Sequence, residues 1–150
     1  MTKYKKQIPI EERERIELKK QIESYKNSLK IKKEIGDTKG ESACYTNLGV
    51  AYDDLGDFGK AIEFHENSLK IKKEIGDTKG ESKCYTNLGV AYDDLGDFKK
   101  AIVFLENSLK IKKEIGDKAG ESKCYENLGI IYNKLNEGLY EKLFNQSIKL

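Results

Sequence analysis

This chain of 150 residues lacks several features that define other classes of protein. It has no tryptophan, and it has one proline, one histidine and one methionine. No segment approaches the ~20 consecutive apolar residues of a membrane-spanning helix. The basic residues at the start of the sequence are not followed by the apolar run of a secretory signal. We therefore expect neither a membrane-spanning protein nor a secreted one.

An excess of charge of one sign is also missing. The chain carries 28 Lys and Arg against 26 Asp and Glu, a formal net charge of +2. A nucleic-acid-binding protein is expected to have a strongly basic face, so this balance argues against nucleic acid as a partner. Residues 1–35 hold eleven basic and six acidic side chains, which we interpret as a solvated helix face.

What the chain does have is an internal repeat of 40 residues. Residues 42–81 overlay residues 82–121 with 34 of 40 positions identical. The same register extends outward in both directions, over residues 24–31 and again over residues 122–132. We predict a leading capping helix in residues 1–35, repeats at 36–75 and 76–115, and a degenerate third repeat with a C-terminal cap in residues 116–150.

Each repeat has the pattern of two helices. Apolar residues recur every three or four positions, and the pattern is interrupted at Gly56-Asp57 and again at Gly76-Asp77. Glycine favours the left-handed end of one helix and aspartate caps the start of the next. We predict an all-α fold, an α-solenoid of stacked antiparallel helix pairs. The breaks predict about seven helices, at 10–35, 38–55, 57–75, 78–95, 97–115, 118–135 and 137–149.

The spacing of particular residues resembles the tetratricopeptide repeat (TPR). Tyr45, Leu48-Gly49 and Tyr52, followed by Ala61, match its signature, and the second repeat carries the same residues. The unit is longer than the common repeat of ~34 residues. In this respect it is similar to the 40-residue repeats of the G-protein-signalling-modulator/Pins class. The resemblance covers about residues 17–135 and weakens after Leu135.

This resemblance implies a non-enzymatic scaffold that binds a peptide or protein segment. In the family, the binding groove is the concave surface lined by the first helix of each pair. The asparagines at one repeat position are expected to bind a peptide backbone, since an amide both donates and accepts hydrogen bonds. The alternatives are that asparagine is merely tolerated at this position or that it bonds to a neighbouring repeat. The candidate binding residues are Asn47, Asn87, Asn127, Thr46, Thr86, Val50, Val90, Ile130, Lys83, Lys123, Asp53, Asp54, Asp93 and Asp94.

The aspartates among these residues make one end of the expected groove acidic. This favours a partner with Lys or Arg at one end, although aspartates at a helix end are also commonly solvated. The family's carboxylate clamp needs a different set of residues. Of its five positions, only Asn87 and Lys123 carry the required residue types, so we do not expect recognition of a terminal carboxylate.

The sequence shows no catalytic or metal-binding pattern, and no cofactor is expected. Cys44, Cys84 and Cys124 occupy one repeat position on neighbouring helices, which is too far apart for a disulfide. Their odd number and spacing also argue against a zinc site. We interpret them as small buried residues in a reducing compartment, and the cytoplasm is the predicted location. His65 aligns with Tyr25 and Leu105, which indicates a packing position.

The two ends of the chain raise further expectations. The leading helix, with Pro9 at its start and Ile10, Leu18, Ile22, Tyr25 and Leu29 along it, is expected to cover the first pair. At the other end, Leu139, Tyr140, Leu143, Phe144 and Ile148 are more apolar than a solenoid cap usually is. A self-associating structural module, domain-swapped or joined end to end into a homodimer through this C-terminal apolar face, is therefore an alternative function. An engineered or consensus repeat array with no evolved ligand is another.

Overall fold

The predicted all-α solenoid is confirmed. The computed structural model describes residues 11–148, except for the side chain of Ser147. Within this range each helix packs against the next one along the chain. The helices are α1 (Glu12–Glu34), α2 (Thr38–Leu55), α3 (Phe58–Glu74), α4 (Thr78–Leu95), α5 (Phe98–Glu114) and α6 (Lys118–Ile148).

The predicted breaks end one helix and begin the next. Gly56 follows α2 with φ of +85°, a conformation that glycine adopts without a steric penalty. The side chain of Asp57 then accepts a hydrogen bond from the backbone N–H of Lys60, which caps α3. Gly76 and Asp77 form the same arrangement between α3 and α4. The remaining Gly-Asp pairs, at 36–37, 96–97 and 116–117, also combine a positive φ at glycine with an aspartate directly after it.

The predicted break near residue 136 is wrong. The two helices expected at 118–135 and 137–149 are a single helix, α6. Asn136 and Glu137 stand where the earlier repeats have Gly56 and Asp57, so the left-handed glycine and the short capping side chain are both missing. Asn133 Nδ2 instead donates to Glu137 Oε1 at 3.0 Å, one helical turn further on. This pair supports a continuous helix at the former break.

The leading helix packs on the first pair. Ile22 of α1 is buried against Leu48, Ala51 and Tyr52 of α2, and Tyr25 also packs against this cluster. The helix begins at Glu12 in the structure. Pro9 and Ile10, which were expected at its start, lie outside the described residues.

The two helices of a pair approach most closely at a glycine of the first helix. A Cβ atom added to Gly49 would lie 2.4 Å from the ring of His65 on α3, and one added to Gly89 would lie 2.7 Å from Leu105 Cγ on α5. We call this arrangement the glycine contact. Next to it, the ring of Phe64 stacks on Tyr52 with 5.3 Å between centroids. His65 is therefore a packing residue, as its repeat position indicated.

Successive pairs are joined by a buried group of hydroxyls and thiols. Ser68 Oγ on α3 donates to the carbonyl oxygen of Ser42 on α2 at 3.1 Å and lies 2.7 Å from Thr46 Oγ1. The thiol of Cys84 on α4 donates to the same Ser68 oxygen at 3.4 Å. Ser68 thus connects three helices, and Ser108 makes the equivalent bonds 40 residues later. These contacts set the position of each pair on the next.

The glycine contact predicts a specific effect on stability. A methyl group at position 89 must displace Leu105, so Gly89→Ala is expected to lower the free energy of unfolding by about 1–3 kcal/mol. Gly59 is a matched control because it is exposed on α3 and has only Asp57 Oδ1 near its Cβ position. Gly59→Ala should leave stability unchanged or raise it by up to ~1 kcal/mol. Urea denaturation measures both, and equal effects would contradict this account.

Burial of His65 predicts a dependence of stability on pH. Burial lowers the pKa of His65 from 6.5 to about 4. Above pH 6.5 the ring is neutral in both states and has no effect. As the pH falls from 6.5 to 4, the unfolded chain takes up a proton before the folded one does, which destabilises the fold by on the order of 3 kcal/mol. His65→Leu, which introduces the residue found at position 105, should remove this loss of stability. If the free energy of unfolding changes equally with pH for the two proteins across this range, the prediction is refuted.

Candidate functional site

The first helices of the pairs lie on one side of the stack. Besides its neighbours along the chain, α2 contacts α4, and α4 contacts α6 through Asp93 and Lys134. We call the side of α2, α4 and α6 that holds the asparagines and the residues around them the inner surface. It is formed by the residues left over from packing, chiefly Asn47, Val50, Asp54, Lys83, Asn87, Val90, Lys123, Asn127 and Ile130.

Each first helix presents one asparagine at the same repeat position. Asn47 is exposed, and Asn87 and Asn127 are half-buried. The Nδ2 atom of Asn87 is buried and has no hydrogen-bond partner among the described residues. Among the described residues, this amide nitrogen therefore does not bond to a neighbouring repeat, which was one alternative for this position. A buried donor without a partner costs free energy, and a ligand acceptor would remove that cost.

The apolar candidates are accessible at the two ends of the surface and less so in its centre. Val50 is 44% exposed and Ile130 is 47% exposed. Val90, between them in repeat order, is half-buried. Lys83 and Lys123 are exposed on α4 and α6, where α2 has the small residue Ala43. The inner surface therefore combines amides, short aliphatic side chains and lysines.

The two threonine candidates serve the scaffold. Thr46 Oγ1 donates to the carbonyl oxygen of Ser42 at 3.2 Å and contacts the Ser68 hydroxyl. Thr86 makes the same bonds to Ser82 and Ser108. Their hydroxyls point into the interface between the helices of a pair. Both hydroxyls are therefore engaged in hydrogen bonds within the fold.

The acidic end of the surface contains an ion pair that the sequence reasoning missed. Lys134 Nζ on α6 lies 2.6 Å from Asp93 Oδ2 on α4, and the two side chains are about four-fifths buried. Asp93 is thus paired within the chain. Lys134 occupies the repeat position of Asp54 and Asp94. The change from an acidic to a basic residue at this repeat position is the sequence signal that could have predicted the ion pair.

The other charged pairs lie at helix junctions. Lys72 Nζ is 2.8 Å from Asp77 Oδ2, and the Gly80 N–H bonds to the second carboxylate oxygen. These two bonds lower the pKa of Asp77 below its ordinary value. Lys32 and Asp37 form the same pair one repeat earlier. These groups stabilise the junctions and belong to the scaffold.

The described residues offer no site for metal chemistry. Among residues 11–148, no group of three or more His, Cys, Asp or Glu side chains is arranged to hold a metal ion. Cys44, Cys84 and Cys124 are buried free thiols, as predicted. Burial raises the pKa of the Cys84 thiol, which keeps it protonated. In the same range, no helix has both the length and the apolar character needed to cross a membrane.

Part of the chain matches a known repeat family, and solved structures share its fold. Residues 55–114 match the family model of the tetratricopeptide repeat. The structure is similar to that of BtubC (BKLC) from P. vanneervenii, with a TM-score of 0.74 and 25% identity over 80% of this chain and 50% of that one. The chain therefore spans about half the length of BtubC. The 40-residue Pins-like subtype is not confirmed.

A second solved structure shows the same fold. The TPR domain of Arabidopsis FLU superposes with a TM-score of 0.64 and 19% identity, over 75% of this chain and 98% of that domain. A search of curated protein sequences gives no match. The comparisons therefore support a TPR α-solenoid. This fold generally serves as a non-enzymatic module for protein–protein interaction.

The Lys134–Asp93 pair predicts a measurable coupling. Lys134→Ala leaves the mostly buried Asp93 carboxylate without its partner and should lower the free energy of unfolding by about 1–3 kcal/mol. Asp93→Asn in the same chain should recover part of this loss. A double-mutant cycle by urea denaturation isolates the interaction. A coupling energy of zero would show that the pair does not hold α6 on α4.

Proposed function

We propose that the inner surface binds an extended segment of another polypeptide, with the asparagines of the first helices holding its backbone. The TPR fold is generally an interaction module, which supports a protein partner. The choice of this surface is supported by one observation above the others, the buried Asn87 Nδ2 that has no partner among the described residues. An extended peptide backbone presents a carbonyl oxygen at regular intervals and so supplies the missing acceptor.

The remaining residues of the inner surface indicate the orientation and the charge of the bound segment. Val50 and Ile130 offer shallow apolar contacts at the two ends of the asparagine series. Lys83 and Lys123 provide positive charge at their end of the first helices, whereas Asp53, Asp54 and Asp94 provide negative charge at the other. At that end Asp93 forms an ion pair with Lys134. A segment with a Lys or Arg at one end complements this pattern.

A random peptide library displayed on phage tests the proposal without a known partner. Peptides selected on the wild-type chain are expected to carry Lys or Arg towards one end. Replacing Asn47, Asn87 and Asn127 together with alanine should weaken the selected peptides at least tenfold in calorimetric titration, because each lost amide bond contributes about 0.5–1.5 kcal/mol. Asp54→Asn should weaken binding further and reduce its dependence on salt.

The chain offers a matched control for this experiment. Asn27, Asn67 and Asn107 also recur every 40 residues, but they lie on the second-type helices α1, α3 and α5. Alanine at these three positions removes the same chemical groups from another surface and should leave peptide affinity unchanged. The proposal fails if the inner triple variant keeps full affinity, or if both triple variants lose it equally.

A further inference from the structure

Helix α6 carries an uncovered copy of the surface that a second helix covers in the preceding pairs. Leu128 and Ile131 are buried on the side of α6 that faces α5. Tyr45 on α2 is 9% exposed beneath α3, but its equivalent on α6, Tyr125, is 50% exposed. Tyr132 is 49% exposed, whereas Tyr52 is 5% exposed. We call the side of α6 that holds Ser122, Tyr125, Gly129 and Tyr132 the terminal face.

The glycine contact is empty on this face. A Cβ atom added to Gly129 would meet no atom of the described residues within 4 Å. At Gly49 and Gly89 the same atom would clash with a side chain of the following helix. The terminal face therefore has the glycine that admits a second helix, together with the flanking tyrosines, and no second helix among residues 11–148 covers it.

A sequence like that of the second helices is present in residues 143–150. Residues 143–150 read LFNQSIKL and align with residues 64–71 of α3, which read FHENSLKI. In this alignment Phe144 takes the position of His65, the residue that fills the glycine contact at Gly49. Ser147 takes the position of Ser68. The alignment has one residue fewer than the repeat, since Gly49 and His65 are 16 positions apart and Gly129 and Phe144 are 15.

This segment cannot cover the terminal face of its own chain. α6 runs without interruption from Lys118 to Ile148. At a rise of 1.5 Å per residue, Phe144 lies about 22 Å from Gly129 along one helix axis. In the pairs α2–α3 and α4–α5 the chain instead reverses at a Gly-Asp break.

We infer that the terminal face binds residues 136–148 of a second copy of this chain. Two α6 helices then pair antiparallel about a two-fold axis near Asn136 and Glu137, and Phe144 of each copy fills the glycine contact at Gly129 of the other. Because the face and the segment that covers it lie on the same helix, the two contacts are equivalent and close on each other. Such an isologous arrangement ends at a dimer.

The exposed side chains of α6 fit this arrangement. Leu139, Tyr140, Leu143, Phe144 and Ile148 on this helix are 52–68% exposed. Together with the two tyrosines of the terminal face, each copy contributes seven large side chains. At roughly 100 Å² for each half-exposed side chain, the buried area reaches the roughly 1,200–2,000 Å² of a standard specific interface.

Sedimentation velocity of the full chain over a range of concentrations tests this inference. The wild-type chain is expected to dimerise. Phe144→Asp and Gly129→Leu should each raise the dimer dissociation constant at least tenfold, because one removes the inserted side chain and the other fills the space that receives it. Val103→Asp is the matched control, since Val103 is 54% exposed on α5, away from α6's terminal face. Circular dichroism checks that the variants keep their helix content.

A third variant restores the break found in the earlier repeats. Asn136→Gly and Glu137→Asp, with a phenylalanine inserted before Gly138, recreate the sequence Gly-Asp-Phe-Gly of residues 56–59 and correct the register by one residue. The segment should then fold back onto its own terminal face and give a monomer with unchanged helix content. A wild-type chain that is monomeric at every concentration overturns the inference. So does a dimer that survives both Phe144→Asp and Gly129→Leu.

Discussion

The close approach of two helices at a glycine is the contact on which the rest of the structure depends. At Gly49 and Gly89 the absence of a side chain lets His65 and Leu105 pack directly on the neighbouring helix. Aromatic rings fill the space beside this contact, with Phe64 stacked on Tyr52 and Phe104 on Tyr92. Helix pairs formed in this way keep one further apolar side, which is buried against the next pair.

Using two sides of each first helix for packing leaves a third side free. Ser68 and Ser108 join the pairs through hydroxyls and thiols that are internal to the stack. The asparagines, valines and lysines of the first helices take no part in that network and remain on the inner surface. The same reasoning explains α6, where the packing side that holds Gly129 has no neighbour within the part of the chain that the structure describes. The inner surface and the terminal face therefore arise from one packing scheme.

Most of the fold was predictable from the sequence because local signals coincide with the repeat. The breaks at Gly56-Asp57 and Gly76-Asp77 combine a left-handed glycine with a capping aspartate, and both end helices as expected. The break near Asn136 was inferred from the repeat alone, without those residues, and α6 is continuous there. Within the candidate site, helical spacing predicted which residues share a helix face, but it did not predict their hydrogen-bond and ion-pair partners. Thr46 and Asp93 are engaged by Ser68 and Lys134 from other helices, and such partners depend on tertiary packing.

Each helix is stabilised mainly by its immediate neighbours in the stack. Amide hydrogen exchange followed by mass spectrometry tests it most directly, at a dilution where the chain is monomeric. We expect the slowest exchange in α3 and α4, the two central helices of the stack, and the fastest exchange in residues 136–148 of α6. Uniform exchange across all six helices, or the slowest exchange in residues 136–148, would contradict it.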